Sequence, residues 1–329
     1  MIVVTGGAGF IGSNVVAALD EDGRGSITVC DRLGSGEKWR NIAKREIADL
    51  VPPEDLFEYL GAERASIETV VHMGAVSATT ENDVDLIVAN NFRLSVALWD
   101  WCAANAVRFI YASSAATYGD GSQGFDDDPS PGALARLKPL NPYGWSKHLF
   151  DRTVARAVRE GRPRPPQWVG MKFFNVYGPN EYHKGAQQSV VAQIYPFAAT
   201  GQAAKLFKSH NPDYVDGGQM RDFVWIEDCV DMVSWFLDHS DVNGLFNCGT
   251  GKARSFADLA GAVYLALGKE PDIEYGPAPE AIRDHYQYFT QAEMGRLGDA
   301  GYPLDRLTAL EDGITHYVQG FLSAPDQYR

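Results

Sequence analysis

A tyrosine and a lysine four residues apart, Tyr143 and Lys147, are well suited to proton transfer. On a helix, that spacing puts both side chains on one face. A nearby ammonium group stabilises a tyrosinate, so we expect Lys147 to lower the pKa of Tyr143. The phenol would then act as both acid and base near neutral pH. The Tyr-x-x-x-Lys pattern is also common by chance, so it gains weight only from the residues around it.

A serine lies upstream of this pair, where a predicted strand ends. Residues 111–119 read YASSAATYG and contain Ser114. In open α/β folds ligands bind at the carboxyl edge of the sheet, which is where this segment should lie. A hydroxyl there can hydrogen-bond a reacting oxygen. We therefore predict that Ser114, Tyr143 and Lys147 are catalytic.

Three glycines near the start of the chain predict a binding site for a dinucleotide. Gly6, Gly9 and Gly12 have the spacing G-x-x-G-x-x-G, between a predicted strand at 2–5 and a predicted helix at 11–19. Such glycines allow a tight turn, close approach to a pyrophosphate and close helix–sheet packing. The helix N-terminus adds free N–H groups and a positive dipole end.

Charged residues after the second predicted strand address the adenosine end of that cofactor. Asp31 ends the strand, about 20 residues after the glycines, where a carboxylate accepts hydrogen bonds from ribose hydroxyls. Arg32 and Lys38 could bind a 2′-phosphate, which favours NADP, with NAD still possible. Solvated loop charges are the alternative for both. Asp49, placed after a predicted third strand, is a candidate partner for the adenine amine, with a surface carboxylate the alternative.

The elements that must position these residues alternate along the chain. Further strands are predicted at 27–30, 67–72, 107–112 and 167–174, and helices at 84–104 and 141–159. Continuous Val/Ile runs are typical of strands buried on both faces of a parallel sheet. We predict an α/β protein: a doubly wound parallel (Rossmann) sheet with a smaller C-terminal α+β substrate domain.

The predicted boundaries divide the chain into two domains that share one cleft. Residues 1–175 form the dinucleotide-binding domain, with the chain returning to it near 222–248. Residues 176–221 and 249–329 form the substrate domain. Residues 119–138 break the pattern with Gly, Pro and three consecutive aspartates at 126–128. We interpret this segment as a solvated surface insertion, and we predict no metal site.

Composition excludes several classes of partner. The 329 residues carry a net charge of −14, which disfavours nucleic acid and anionic membranes as the main partner. No stretch approaches the ~20 apolar residues of a membrane span. The four cysteines form no C-x-x-C pair, so we expect reduced, mostly buried thiols. Without a visible secretory signal, we expect a cytoplasmic protein.

The ordered set of glycine motif, serine segment and Tyr-x-x-x-Lys resembles the extended short-chain dehydrogenase/reductase superfamily over nearly the whole chain. Within it the sequence is most similar to the ADP-L-glycero-D-manno-heptose 6-epimerase family. The segments that carry the resemblance are 2–14, 112–119, 173–185 (FFNVYGPNEYHKG), 221–224, 246–251 and 286–292. The His-Lys-Gly element is the discriminating one, because in that family its lysine is a second acid/base, and Lys184 occupies that position.

The resemblance implies a redox-neutral inversion at C6″ of an ADP-heptose with tightly bound NADP, through a transient ketone. Tyr143 and Lys184 would serve opposite faces of the carbonyl. It implies further cofactor contacts at Phe10, Ile11, Met73, Gly74, Ala75, Ser77, Asn90, Tyr143, Lys147 and Val176. It implies substrate contacts at Ser114, Asn175, Lys184, Phe207, Arg221 and Tyr286. It also implies a homo-oligomer and a role in supplying heptose for lipopolysaccharide or a related glycan.

Other functions remain open on the same fold. A hexose 4-epimerase or another sugar epimerase or reductase would not need Lys184. A non-catalytic NADP-binding sensor would not need the Ser/Tyr/Lys set. A 4,6-dehydratase needs an Asp-Glu pair after the serine motif, where this chain has residues 115–117, Ala-Ala-Thr. Ala186 and Gln193 also depart from the family's usual serine and histidine, which loosens the assignment of the sugar.

Overall fold

A computed structural model describes residues 1–278 and 287–329 of the chain. The strands are β1 (Ile2–Thr5), β2 (Ile27–Cys30), β3 (Asp49–Val51), β4 (Thr69–His72), β5 (Arg108–Ser114), β6 (Trp168–Phe173), β7 (Asn175–Tyr177), β8 (Ala204–Phe207), β9 (Met220–Trp225), β10 (Gly244–Cys248), β11 (Ala253–Ser255) and β12 (Ile273–Gly276). The helices are α1 (Phe10–Glu21), α2 (Leu56–Ala62), α3 (Val84–Ile87), α4 (Leu94–Asn105), α5 (Pro131–Arg136), α6 (Pro142–Arg159), α7 (Val190–Thr200), α8 (Ile226–Asp238), α9 (Phe256–Ala266), α10 (Gly295–Asp299) and α11 (Leu310–Tyr317).

Seven strands form the central sheet in the order β10-β6-β5-β4-β1-β2-β3. Every neighbouring pair is parallel. Strands β2 and β3 lie on one side of β1, and strands β4, β5, β6 and β10 lie on the other. This reversal opens a crevice at the carboxyl ends of β1 and β4, where ligands bind in such folds. The prediction of a doubly wound parallel sheet is confirmed.

Helices cover both faces of this sheet, and the apolar strand runs explain why. Ile2 and Val4 pack into the core on the α1 and α8 face, whereas Val3 packs into the core on the α4 and α6 face. All four residues of β1 are buried. A strand with buried side chains on both faces needs an unbroken apolar run, which the sequence supplies.

Two small sheets make up the smaller α+β part. Strands β11, β9 and β7 form one, and β12 pairs in parallel with β8 to form the other. Helices α7, α9 and α11 pack beside them. The predicted α+β character of this part is confirmed, whereas the exact division of the chain into two domains stays a prediction.

The helix predicted at 84–104 contains a wider turn. Residues Val88–Arg93 are π-helical and separate α3 from α4. Within this turn Asn91 is buried, and its amide hydrogen-bonds both backbone groups of Val76, at 2.8 and 3.0 Å. π-Helical turns of this kind often mark functional sites. Here the turn fixes the loop that follows β4.

The interpretation of residues 119–138 as a solvated insertion is wrong in part. Phe125 and Asp127 are buried, and α5 lies within the segment. The Asp127 carboxylate accepts a hydrogen bond from the backbone N–H of Asn247 at 2.6 Å. Burial raises the pKa of Asp127 to about 6. Only tertiary contact with the 247 backbone, more than a hundred residues away, distinguishes Asp127 from its exposed neighbour Asp126.

The structure also bears on the cysteines, on metal binding and on membrane spans. All four cysteines are free and buried. Residues 1–278 and 287–329 contain no cluster of His, Cys, Asp or Glu able to hold a metal ion. Across the same residues, none of the helices has the length and apolarity needed to cross a membrane.

Candidate active site

A cleft of about 730 Å³ opens at the carboxyl edge of the central sheet. Many of the predicted site residues line it: Gly6, Gly9, Phe10, Ile11, Gly12, Asp31, Lys38, Met73, Gly74, Ala75, Ser77, Ser114, Tyr143, Lys147, Asn175, Val176 and Lys184. They come from the carboxyl ends of β1, β2, β4 and β5 and the segments that follow them, from the starts of α1 and α6, from β7 in the smaller sheet and from the segment before α7. Parallel strands bring these distant segments together because their carboxyl ends share one edge.

The glycine-rich turn has the shape of a pyrophosphate cradle. Gly6 has φ +66°, and a Cβ there would overlap the backbone of Gly74. A Cβ at Gly12 would collide with the carbonyl oxygen of Gly6. Gly9 precedes α1 and offers no capping side chain, so the first N–H groups of the helix stay available for an anion. These residues fit a nicotinamide dinucleotide.

The carboxylate at the end of β2 is held in place by three donors. Asp31 accepts hydrogen bonds from the N–H groups of Ala8 (2.9 Å) and Arg32 (2.7 Å), and from Lys38 Nζ at 2.6 Å. The Arg32 guanidinium points elsewhere and pairs with exposed Glu54 at 3.0 Å. Asp31 and Lys38 therefore line the cleft as a pair, whereas Arg32 lies outside its lining.

The Ser114, Tyr143 and Lys147 side chains meet at the junction of β5 and α6. The Ser114 hydroxyl lies beside the Tyr143 phenol and accepts a hydrogen bond from the N–H of Ala116 at 3.1 Å. Lys147 Nζ donates to the carbonyl of Ala112 at 2.7 Å. Asn141 caps α6 by accepting from the N–H of Gly144 at 2.8 Å, so the helix begins where Tyr143 must be placed.

The prediction that the Tyr143 pKa is lowered is wrong for this structure. Burial raises the pKa of Tyr143 above its ordinary value, and the neighbouring Ser114 hydroxyl only partly opposes this. Burial also lowers the pKa of Lys147 to about 8. The reason is that one desolvated face holds both groups, and burial disfavours a charged form of either.

Lys184 reaches the cleft from the loop between β7 and α7, within the short 3₁₀ turn Tyr182–Gln187, rather than from a strand or an α-helix. Its ammonium lies over the ring of Phe10, 5.3 Å from the ring centre. Burial lowers the pKa of Lys184, and the nearby Glu181 carboxylate opposes this. Gly185, with φ +55°, turns the chain directly after it. The side chain is thus held against the glycine-rich turn.

Three buried asparagines fasten this loop to the glycine-rich turn and α1. Asn14 donates to the carbonyl of Pro179 (3.0 Å), and Asn41 donates to the carbonyl of Asn180 (3.0 Å). Asn180 in turn donates to Ser13 Oγ at 3.1 Å. Asn180 has φ +71°, a left-handed conformation that Asn tolerates better than most residues. The loop position therefore follows that of the cofactor-binding turn.

Several predicted residues do not line the cleft. Asn90 is half-buried and donates to the Leu86 carbonyl, and its neighbour Asn91 makes the inward contacts. Asp49 begins β3 rather than following it, so it lies away from the carboxyl edge. Phe207 is half-exposed at the end of β8. Their assigned roles stay predictions.

Arg221 and Tyr286 are the two remaining residues predicted to contact the substrate. Arg221 donates to the Met220 carbonyl at 2.8 Å and stacks over Phe256, whose ring does line the cleft. Arg221 thus borders the site through that ring. Tyr286 lies outside the described residues.

The cleft also contains residues that the sequence did not suggest. Thr79 and Thr80 follow the predicted 73–77 segment, and Gln187 and Gln188 follow Lys184. His183 lines the cleft beside Asn41, with the two side chains 3.2 Å apart. Proximity to assigned residues was the available signal for all five. Polar loop residues carry no periodicity that would separate a site residue from a solvated one.

The charge of the cleft differs from that of the whole chain. Its lining includes the ammonium groups of Lys38, Lys147 and Lys184, and among the described lining residues Asp31 is the one carboxylate. The chain as a whole carries −14. A locally cationic cleft in an acidic protein suits an anionic ligand.

Comparisons with known proteins agree with this geometry. Residues 2–249 match the sequence profile of the NAD dependent epimerase/dehydratase family. The chain is 50% identical to the ADP-L-glycero-D-manno-heptose-6-epimerase of Nitratidesulfovibrio vulgaris strain Hildenborough, over all of both chains. It is 44% identical to the protein of that name from Fusobacterium nucleatum, again over all of both.

Solved structures of two epimerases share the fold of this chain. The ADP-L-glycero-D-manno-heptose-6-epimerase of Helicobacter pylori superposes with a TM-score of 0.79 at 27% identity, covering 98% of this chain and 96% of that one. A Thermus thermophilus UDP-glucose 4-epimerase in complex with NAD has a TM-score of 0.76 at 26% identity, covering 98% and 99%. The cradle, the Ser/Tyr/Lys set and the full-length similarity together show that the chain belongs to the NAD dependent epimerase/dehydratase family and, within it, groups with the ADP-L-glycero-D-manno-heptose-6-epimerases.

Proposed function

We propose that this protein inverts the configuration at C6″ of an ADP-glycero-manno-heptose, using tightly bound NADP. The observation that carries the proposal is the presence of two separate proton-handling groups, Tyr143 and Lys184, in one cleft beside a dinucleotide cradle. Inversion at a hydroxyl-bearing carbon through a ketone requires proton transfer on both faces of that ketone. The full-length relatives of 44–50% identity carry the name of this activity.

Tyr143 serves one face of the substrate. Its phenol lies beside Ser114, and both hydroxyls line the cleft, where they can contact the same substrate oxygen. The raised pKa of Tyr143 keeps the phenol protonated, ready to donate to a carbonyl oxygen. The cation at Lys147 stabilises the tyrosinate that this transfer leaves.

Lys184 serves the other face. Burial lowers the pKa of its ammonium, so a neutral amine able to take a hydroxyl proton is more accessible than on a solvated lysine. A bound nicotinamide would supply the redox chemistry, as acceptor and then donor of one hydride at C6″. In either direction one of the two residues removes a proton while the other supplies one.

NADP rather than NAD is the finer part of the proposal. Lys38 lies at the adenosine end of the cleft beside Asp31, where it can bind a 2′-phosphate as well as the carboxylate. Arg32 can join it by leaving Glu54, since that pair is exposed and therefore weak. The remaining cradle contacts, at Gly6, Gly9 and Gly12, suit both cofactors.

The substrate lies on the side of the cleft formed by Asn175, Lys184 and Phe256. Arg221, stacked on Phe256, is placed to bind the diphosphate, with Phe207 and Tyr286 as the outer contacts. Its guanidinium suits phosphate oxygens in a two-point contact. We further propose a cytoplasmic homo-oligomer, which follows the expectation from the family.

The decisive experiment follows the C6″ configuration by NMR in deuterated water. With ADP-D-glycero-D-manno-heptose and the holoenzyme, we expect epimerisation without deuterium on carbon, because hydride stays within the site. Deuterium at carbon would contradict the redox route. UDP-glucose serves as the competing substrate: efficient 4-epimerisation of it, with no turnover of the heptose, would favour a hexose 4-epimerase instead.

A further inference from the structure

A fully buried ion pair lies directly behind the catalytic serine segment. Lys172 on β6 and Asp151 on α6 are 2.8 Å apart, and neither side chain is exposed to solvent. Neither residue lines the cleft. Replacing a buried ion pair with apolar groups of similar volume is often neutral or stabilising, so stability alone does not explain such a pair.

The pair is connected to the backbone and side chains on both sides of Ser114. Asp151 accepts hydrogen bonds from the hydroxyls of Ser113 (2.7 Å) and Tyr111 (3.0 Å). Lys172 donates to the hydroxyl of Thr117 at 2.8 Å. Thr117 in turn donates to the carbonyl of Ser114 at 2.8 Å. The 113–117 turn is therefore fastened to the pair at both ends.

The pair also faces the Tyr143 and Lys147 side of α6. Asp151 is one helical turn after Lys147 and two turns after Tyr143, on the same face. His72, the titratable group that approaches Lys147 from β4, is neutral, because burial lowers its pKa to about 3. His148, which follows Lys147 on α6, is also neutral near pH 7, because burial lowers its pKa to about 4. The charges that remain near pH 7 are the ammonium groups of Lys147 and Lys172 and the Asp151 carboxylate, and their sum is a single positive charge.

We propose that Asp151 and Lys172 are positioning residues for the reaction, which hold the Ser114 turn and cancel each other's charge beneath Tyr143 and Lys147. This inference rests on the proposed function and deepens it. With the pair intact, the opposite charges of Asp151 and Lys172 largely cancel at Tyr143. Removing the carboxylate leaves excess positive charge near Tyr143, and removing the ammonium group leaves excess negative charge. Removing both restores the original balance.

Charge-changing isosteres give the test. Asp151→Asn leaves the Lys172 ammonium group without its carboxylate partner and should lower the Tyr143 pKa by about one unit. Lys172→Met leaves an unpaired carboxylate and should raise it by about one unit. The double variant should return to within about half a unit of the original value. The measurement is the NMR titration of ¹³Cζ-labelled tyrosine in the holoenzyme, with Tyr143→Phe identifying the signal.

The same variants should displace the pH profile of kcat in the same directions. Asp238→Asn is the matched control, because it breaks a distant surface pair with Arg24 and should leave the Tyr143 pKa unchanged. Single variants that shift the Tyr143 pKa in the same direction, or not at all, would overturn the inference. The titration needs no substrate, so it decides this question even where no heptose is turned over, and lack of turnover by the unmodified enzyme contradicts the proposed function alone.

Two milder variants separate position from charge and guard against a fold that does not tolerate an unpaired buried ion. Ser113→Ala removes one hydrogen bond from the network and Thr117→Val removes two, and both variants leave the charges of Asp151 and Lys172 in place. We expect about a tenfold loss in kcat with an unchanged KM and an unchanged Tyr143 pKa. Unchanged kcat in both variants would show that the pair does not position the Ser114 turn.

Discussion

The two sides of the cleft are built differently. Tyr143 and Lys147 project from a capped 18-residue helix and are fixed by the end of β5. Lys184 projects from a loop that has no strand or long helix of its own and is held by asparagine side chains to the glycine-rich turn. One proton-handling group is therefore set by the sheet, and the other follows the cofactor-binding turn.

This difference teaches how a single site can serve two faces of a substrate. A group on the sheet edge can approach from one direction only, because its backbone is fixed by parallel pairing. A group on a separate loop can approach from the other side. The cost is that its position depends on a few long-range hydrogen bonds, whose loss leaves buried groups unsatisfied.

The largest expected effect comes from removing either proton-handling group. Tyr143→Phe and Lys184→Ala should each lower kcat on the heptose substrate by about 10³, within the range that general acid–base catalysis contributes. Cofactor affinity should persist, as measured by tryptophan fluorescence quenching. Near-normal turnover by the Lys184 variant would mean that one residue serves both faces.

The next effect concerns the turn that both sides share. Gly12→Ala should weaken binding of NADP and NAD alike by about 10–100-fold, because its Cβ collides with the Gly6 carbonyl oxygen and must displace the cradle. Isothermal titration calorimetry measures both affinities. Gly36→Ala is the control, since nothing lies within 4 Å of a Cβ there. Equal cofactor affinities in the two variants would show that the glycine-rich turn does not bind the cofactor.

A smaller effect is expected from loosening the Lys184 loop alone. Asn180→Ala removes the hydrogen bond to Ser13 and the one accepted from the Arg329 N–H, and should cost about 1–3 kcal/mol of unfolding free energy. Because the loop carries Lys184, kcat should fall about tenfold while NADP affinity falls less. Asn180→Gly, which keeps the backbone conformation, should lose the same hydrogen bonds but less stability. Urea unfolding measures the loss of stability, and steady-state kinetics measure the loss in kcat. A fall in NADP affinity with an unchanged kcat would contradict the link between this loop and Lys184.

The smallest effect tests the adenosine end. Arg32→Ala should change the free energy of NADP binding by less than about 1 kcal/mol, because its guanidinium is exposed and already paired with Glu54. Lys38→Met should reduce NADP affinity more than NAD affinity, since Lys38 lies inside the cleft. The ratio of the two dissociation constants is the measurement. A clear preference of the unmodified enzyme for NAD would contradict the assignment of NADP.

Local patterns were sufficient for the main elements of this protein. The apolar runs of β1, β4 and β6 and the glycine spacing report on neighbours a few residues away, so periodicity and turn chemistry reveal them without knowledge of the fold. The parallel sheet then required the glycine turn, Ser114 and Tyr143 to share its carboxyl edge. For the same reason the Tyr-x-x-x-Lys spacing placed both side chains on one face of α6.

Tertiary structure decided the rest, because burial and long-range charge are properties of the packed molecule. It determined that Asp127 is buried and Asp126 is not, and that Asn91 rather than Asn90 turns inward. It raised the pKa of Tyr143 where the adjacent lysine alone suggested the opposite. It also brought Lys172 to Asp151 across 21 positions of sequence. No local pattern specifies which polar groups become desolvated on folding, and desolvation determines their pKa values and their reactivity.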